Sequence, residues 1–241
     1  MMRIESVLFP SSDFGLLVQV FQTSAAINSP RTLRNTTVIR HLDSDIEQAV
    51  ASSTIGHNFV SNVRKTRHHR MIVDKAKDGE VLCMMDCDTL VLGDLSELQM
   101  RDNDLVLTID PTFGAPNTGV YFVRASEKVR EWMRHWEAKA IQLLTAPQQM
   151  WKLFRQYQGL NQGALGWLRE EMRNMRAPFL RIAEVPGEIW NCTPESIDRF
   201  SKSTKVLHIN GWLRSACLGR EIPEACKSIA PRFVDLWRQY A

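Results

Sequence analysis

Asp86-Cys87-Asp88 sets two carboxylates one residue apart, directly after the apolar run Val81-Leu82-Cys83-Met84-Met85. Acids this close together are costly unless something cationic neutralises them. A divalent metal ion that also holds a phosphate would do so, because hard cations prefer carboxylate oxygen. A turn whose acids are simply solvated is the plainer alternative. Three further stretches carry polar groups at comparable places: Asn117-Thr118-Gly119-Val120, Asn161-Gln162-Gly163-Ala164-Leu165 and Leu207-His208-Ile209-Asn210-Gly211-Trp212.

The elements that must position these groups alternate in type along the chain. Five consecutive apolar residues after Asp78-Gly79 read as a strand buried on both faces. The carboxyl ends of such strands are where ligands bind in open α/β sheets. Ser6 to Pro10 reads as a first strand, Phe14 to Ala26 as a helix and Thr37 to Leu42 as a second strand, which makes a βαβ opening. The stretch from Ile46 to Lys77 reads as helical in part, with the basic middle Arg64-Lys65-Thr66-Arg67-His68-His69-Arg70. Asp94 reads as an N-cap with Glu97 as its capping-box partner. Leu105 to Ile109 is a further buried strand ending in Asp110, and a loop over 111–116 leads to the strand Val120 to Val123. Ser126 caps a helix whose Trp132 and Trp136 fall on the core stripe. Helices follow over about 148–158 and 163–172, the latter with Asn161 as N-cap. Leu180 to Val185 and Val206 to Ile209 read as strands, Thr193-Pro194-Glu195 as a helix start and 231–240 as a last helix.

The chain has 241 residues, 44% of them hydrophobic and 24% charged, the balance of a globular protein with a real core. A formal net charge of +3 is too small to argue for nucleic acid. No apolar run reaches membrane-spanning length, and Met1-Met2-Arg3-Ile4-Glu5 lacks the core of a signal peptide. The five cysteines are scattered without a CxxC pair, which points to the reducing cytoplasm. There is no repeat, low-complexity segment or linker, so the reading is one domain over 1–241. It divides into halves at 1–110 and 111–241, the second with the C-terminal helix.

The four polar stretches, in this order, resemble the GT-A-fold glycosyltransferases, especially retaining enzymes such as family 8 that use Asp-x-Asp and a late histidine. The resemblance runs from about Val7 to Trp212. It implies an α/β, Rossmann-related single domain with a mixed central sheet flanked by helices, in which 1–110 is the nucleotide-binding half and 111–241 the acceptor-binding half. It implies that Asp86, Asp88 and His208 hold Mn²⁺ or Mg²⁺, that Asp86 also reaches the donor ribose, and that Ser11, Asp13 and Phe14 meet the nucleotide. Arg70, or Lys65 in its place, would contact the diphosphate or sugar. Asn117, Gly119 and Gly211 would approach the donor, and Gln162 would sit near the anomeric carbon. Asn161 stands where the family often has Asp, which disfavours a carboxylate nucleophile there. A front-face reaction, in which the leaving phosphate helps deprotonate the acceptor, fits better. Asp110 is the nearest spare carboxylate for a sugar hydroxyl or for general-base duty. The implied donor is UDP-glucose or UDP-galactose.

Parts of the same pattern fit three other protein classes. Asp86-Cys87-Asp88-Thr89-Leu90 resembles the nucleophile strand of haloacid-dehalogenase-type phosphatases, but position 90 is Leu where that pattern has Thr. A sugar-1-phosphate nucleotidyltransferase would need a glycine-rich first loop, and Pro10-Ser11-Ser12-Asp13 stands there instead. A catalytically silent sugar-nucleotide-binding protein would keep the same acids. The acceptor is open among a glycan, a lipid-linked sugar, a protein and a modified nucleic-acid base. The basic run over 64–70 and Arg214, Arg220, Lys227, Arg232 and Arg238 would suit a polyanion, or be scattered solvated charge.

Overall fold

The computed structural model describes residues 2–8, 14–38, 44–51, 59–174, 176 and 178–241. It opens with β1 (Met2–Leu8), α1 (Phe14–Asn28) and β2 (Leu33–Val38), a βαβ unit with its two strands parallel. Both strands begin about four residues before the positions read from sequence. Residues 9–13 and 39–43, which include Ser11, Asp13 and the end of each expected strand, lie outside the described residues. Next come α2 (Ser44–Ala51), α3 (Val60–Lys75), β3 (Val81–Asp86), β4 (Thr89–Val91), β5 (Leu105–Asp110) and β6 (Ala115–Arg124). They are followed by α4 (Glu127–Leu144), α5 (Pro147–Tyr157), α6 (Leu160–Arg173), β7 (Ile182–Pro186), α7 (Gly187–Trp190), β8 (Val206–His208), α8 (Gly211–Cys217) and α9 (Ala230–Arg238).

The main sheet has the order β2-β1-β3-β6-β5-β7. Only β6 runs against its neighbours, so the sheet is mixed. β3 is buried on both faces, as its unbroken apolar run requires. Leu82 and Met84 face a core shared with α3, α4, α5 and α6, whereas Cys83 and Met85 face one shared with α1 and the segment after β4. Trp132 and Trp136 belong to the first of these cores and are wholly buried. A third core packs Leu90 and Leu207 against Leu213 of α8 and Phe233 and Trp237 of α9. It underlies a two-stranded sheet in which Thr89 of β4 lies opposite His208 of β8.

Three local expectations are corrected. Asp94 does cap, accepting from Ser96 N at 2.9 Å, but Glu97 does not close a capping box and pairs with Lys205 at 2.7 Å. Asn161 is not an N-cap. Gly159 holds that position, and Asn161 lies inside α6 with its side chain turned toward β6. The strand expected to start at Val120 starts at Ala115, because the loop after β5 is shorter than the Pro content of 111–116 suggests.

β6 reaches the carboxyl end of the sheet through a large irregularity. Leu107 lies opposite Tyr121, yet the next residue, Thr108, lies opposite Asn117, so Thr118-Gly119-Val120 has no partner residues on β5. The Thr108 hydroxyl closes the gap, lying 2.9 Å from Asn117 O and 2.8 Å from Val120 O. A bulge of this kind re-aims the strand. Here it pushes Thr118 and Gly119 toward the end of β3.

Candidate active site

Asp86 ends β3 in the main sheet, and the tight turn after it carries Asp88 to the start of β4. There the small sheet delivers His208 from the far end of the chain. His208 Nε2 lies 3.4 Å from Asp88 Oδ1 and 3.7 Å from Asp86 Oδ2. One ligand atom from each of the three lies within 4.8 Å of the others, the only such group among the described residues. Two carboxylates and an imidazole suit a divalent cation, with the nitrogen favouring Mn²⁺ over Mg²⁺.

Two cations complete the centre. Lys65 Nζ donates to Asp86 Oδ1 at 2.7 Å and to the Thr118 carbonyl at 3.2 Å. Arg214, one turn into α8, donates to Asp88 Oδ2. Burial alone would raise the Asp88 carboxyl, but the charges and hydrogen bonds of His208 and Arg214 outweigh it and hold Asp88 well below the usual carboxylate range. Burial likewise opposes a charged His208. The Asp88 carboxylate, with Asp86 behind it, wins and raises the ring above its ordinary value. Gly119 makes room for this ring. A Cβ there would stand 2.3 Å from His208 Cε1.

These groups line one cavity of about 520 Å³ at the carboxyl ends of β1, β3 and β5. Asn117, Gln162 and Asp110 line it too. The Asn117 Oδ1 accepts from Gly119 N at 2.8 Å, which stiffens the bulge. Asn161 Nδ2 donates to Thr118 Oγ1 at 2.6 Å and braces the same bulge from α6. Gln162 Nε2 donates to Pro116 O at 3.2 Å and Tyr157 O at 3.0 Å. Asp110 closes an Asx-type turn, its Oδ1 accepting from Thr112 N at 2.8 Å and Phe113 N at 3.3 Å, while Thr193 Oγ1 lies 3.3 Å from Oδ2.

The fold and this geometry can be set beside known proteins. No protein-family profile matches the chain, and no curated protein matches it. Solved structures do. A glycosyltransferase involved in glycosylation of the major capsid of PBCV-1 is similar at a TM-score of 0.56 and 17% identity, over 89% of this chain and 95% of that one. The galactosyltransferase LgtC, solved with donor and acceptor sugar analogues, is similar at 0.53 and 16%, over 98% and 95%. GlyE of Streptococcus pneumoniae TIGR4 is similar at 0.55 and 13%, over 99% of this chain and 59% of that one. The chain has the GT-A glycosyltransferase fold.

Within this GT-A fold the residues singled out from sequence divide into three groups. Asp86, Asp88, His208, Lys65, Asn117, Gly119, Asn161, Gln162 and Asp110 come together around the cavity. Arg70 does not. It lies on the α4 side of α3, bound to Glu137 and Asp74. Gly211 is absent from the cavity wall and serves instead as the first residue of α8, at a φ of 50° that favours glycine. Ser11 and Asp13, with the Phe14 side chain, lie outside the described residues. The cavity adds Ser61, Asn62, Tyr157, Glu195 and Arg214. Of these only Arg214 carried a signal, its place three residues after Gly211 and six after His208.

Proposed function

We propose that this chain is a metal-dependent glycosyltransferase that moves a hexose from a nucleoside diphosphate sugar to an acceptor hydroxyl. The observation that carries the reading is the meeting of Asp86, Asp88, His208, Lys65 and Arg214 in one cavity of a GT-A fold. Asp86, Asp88 and His208 would hold Mn²⁺ or Mg²⁺, which when bound supplies Lewis-acid stabilisation to the diphosphate leaving group. Lys65 and Arg214 add fixed positive charge beside it, where charge develops as the sugar departs. Backbone at Gly119 and the Asn117 side chain would border the donor sugar. The donor site therefore draws on both halves of the chain, with Lys65 and the aspartates from 1–110 and His208 and Arg214 from 111–241. A uridine diphosphate sugar, glucose or galactose first, is the proposed donor, on the resemblance of Ser11 to Phe14 and of Asn117 to Val120. The five free thiols, four of them buried, fit a reducing cytoplasm.

The proposed outcome is retention of the anomeric configuration. Inversion needs a carboxylate base within hydrogen-bond reach of the acceptor hydroxyl. Position 161 is an amide that takes up no proton, and both oxygens of Asp110 already accept hydrogen bonds. Glu195, exposed at the rim, is the other carboxylate in the cavity wall beyond the metal-site pair.

The direct experiment is a screen of nucleotide sugars for Mn²⁺-dependent hydrolysis, since slow transfer to water reveals the donor without the acceptor. Turnover of UDP-glucose or UDP-galactose that stops in chelator is expected. Binding without turnover of any donor would mark a silent sugar-nucleotide-binding protein, and preference for GDP would move the donor to mannose or fucose. Once an acceptor is found, the anomeric proton coupling of the first product from an α-linked donor should show an α linkage. A β product that depends on Asp110 or Glu195 would replace retention by inversion.

A further inference from the structure

The segment after α7 runs beside β8. Cys192 N donates to Val206 O at 2.9 Å and His208 N to Cys192 O at 2.7 Å. This apposition carries the buried Asn191 side chain to the back of the His208 ring, where Asn191 Oδ1 lies 3.1 Å from Nδ1. On its other side Asn191 Nδ2 lies 3.3 Å from Thr108 Oγ1, the hydroxyl that closes the β6 bulge.

Donor and acceptor accounting along this line leaves one arrangement. A threonine hydroxyl has a single proton. That of Thr108 faces two carbonyl oxygens, which can only accept, so its proton points to them and its oxygen is left to accept. Among the described residues the donor that faces this oxygen is the amide NH₂ of Asn191, which leaves Oδ1 as the atom facing His208. An oxygen without a proton can only accept, so Nδ1 of His208 carries the hydrogen. The opposite nitrogen, Nε2, is then the one with a free lone pair when the ring is neutral, and it is the nitrogen that faces Asp86 and Asp88.

We propose that Asn191 is a positioning residue that fixes the ring orientation and tautomer of His208, so that Nε2 is presented bare toward the carboxylate pair. The inference rests on the reading of Asp86, Asp88 and His208 as a divalent metal site. Partners of this kind, standing behind a ligating histidine, change metal affinity by 10–100-fold when removed. Asn191 touches neither metal nor substrate. Its effect passes entirely through His208.

The test measures Mn²⁺ binding, with the metal alone as probe, in the unaltered chain, Asn191→Leu and Asn191→Asp. Leucine has the same branching as asparagine, with bulkier methyl groups and no acceptor; aspartate keeps an oxygen behind Nδ1. Asn191→Leu should weaken Mn²⁺ binding at least tenfold, and Asn191→Asp, which keeps the acceptor behind Nδ1 but gives up the donor to Thr108, should bind more tightly than Asn191→Leu. Equal Mn²⁺ affinity in Asn191→Leu and the unaltered chain would overturn the inference and leave the metal site standing. No Mn²⁺ binding by the unaltered chain would overturn the metal reading itself, and this inference with it. Should Asn191→Leu fail to fold, nitrogen-15 correlation of the His208 ring in the unaltered, metal-free protein decides, recorded above the pH at which the ring loses its charge. A proton on Nδ1 and a bare Nε2 are expected; the reverse tautomer would overturn the proposal.

Discussion

A methyl group on Gly119 would occupy the space that the His208 ring now fills, because its nearest atom would be 2.3 Å away. The ring is wedged between two carboxylates and Asn191 and has nowhere to retreat, so Gly119→Ala should displace it. We expect at least a tenfold loss of Mn²⁺ affinity, read by calorimetry, with a stability cost of about 1–3 kcal/mol from overpacking. Unchanged affinity would mean that the ring position is not needed for the metal. Lys65 and Arg70 offer a second contrast. Five residues apart on α3, they differ by about 140° around the axis, so only one can face the sheet end. Lys65→Met should lower transfer by at least tenfold, since a charge-assisted contact contributes roughly 1.5–3 kcal/mol. Arg70→Met should leave kcat unchanged and lower the melting temperature, because Glu137, almost wholly buried, would lose one of its two arginines. The reverse outcome would return the proposed diphosphate contact to Arg70. The basic run was visible in the sequence, but which of its members faced the cavity was not. That choice depends on the rotation of α3 against β3, β6 and α4, and only packing sets it.

At the scale of elements, α3 divides its run of polar residues among three jobs. Lys65 serves the cavity, Arg67 and Arg70 tie the helix to Glu137 of α4, and His69 is fully buried against Tyr121 of β6, with Nδ1 2.8 Å from the phenol oxygen. Burial, and then the charge of Lys65, hold the His69 ring well below its usual range, so it stays neutral in the folded chain. The unfolded chain takes up this proton near pH 6.5. The contribution of His69 to stability is therefore complete above about pH 6.5 and is lost as pH falls below it, by up to about 1.4 kcal/mol per pH unit. His208, whose value is raised, works in the opposite sense: its contribution is present at low pH and lost as pH rises. The difference between the unaltered chain and His69→Phe isolates the first effect. Urea midpoints from pH 7.5 to 5.5 should fall more steeply in the unaltered chain, and parallel slopes would refute a neutral buried ring. Elements with strong patterns, such as β3, α4 and β5, were legible from sequence because burial on one or both faces writes itself into the order of apolar residues. The first half of β6 was not, since Ala115-Pro116-Asn117-Thr118-Gly119 has turn composition and is held as strand by Thr108, Asn161 and the sheet around it. Asn191 escaped notice for the same reason: its significance lies in two partners 83 and 17 residues away.

Across the whole molecule, the three residues of the proposed metal site join two sheets, Asp86 ending a strand of the large one and Asp88 and His208 bordering the small one. A bound cation would stabilise both together. At a hundredfold excess over its dissociation constant Mn²⁺ should add about 2.7 kcal/mol, which for a chain of this size raises the melting temperature by roughly 5–10 °C. Differential scanning fluorimetry should show this shift in the unaltered chain and none in Asp88→Ala, which should also lose on the order of 10²-fold or more in transfer rate. A shift that persists in Asp88→Ala would place the cation elsewhere. Asn28 of α1 donates to both Val91 O and the Tyr240 hydroxyl, at 2.9 Å each, so the first helix, the small sheet and the segment that follows α9 are bound at one point. That arrangement has a consequence for biosynthesis. β4 leaves the ribosome long before β8, its hydrogen-bonded partner, and at roughly 5–20 residues per second the wait is on the order of ten seconds. Throughout that interval Thr89-Leu90-Val91 presents an edge without its partner strand, beside an Asp88 whose partners His208 and Arg214 have yet to be made. Nascent chains stalled before Val206 should accordingly engage chaperones and be cut by protease near β4, and both signs should vanish once α9 has emerged.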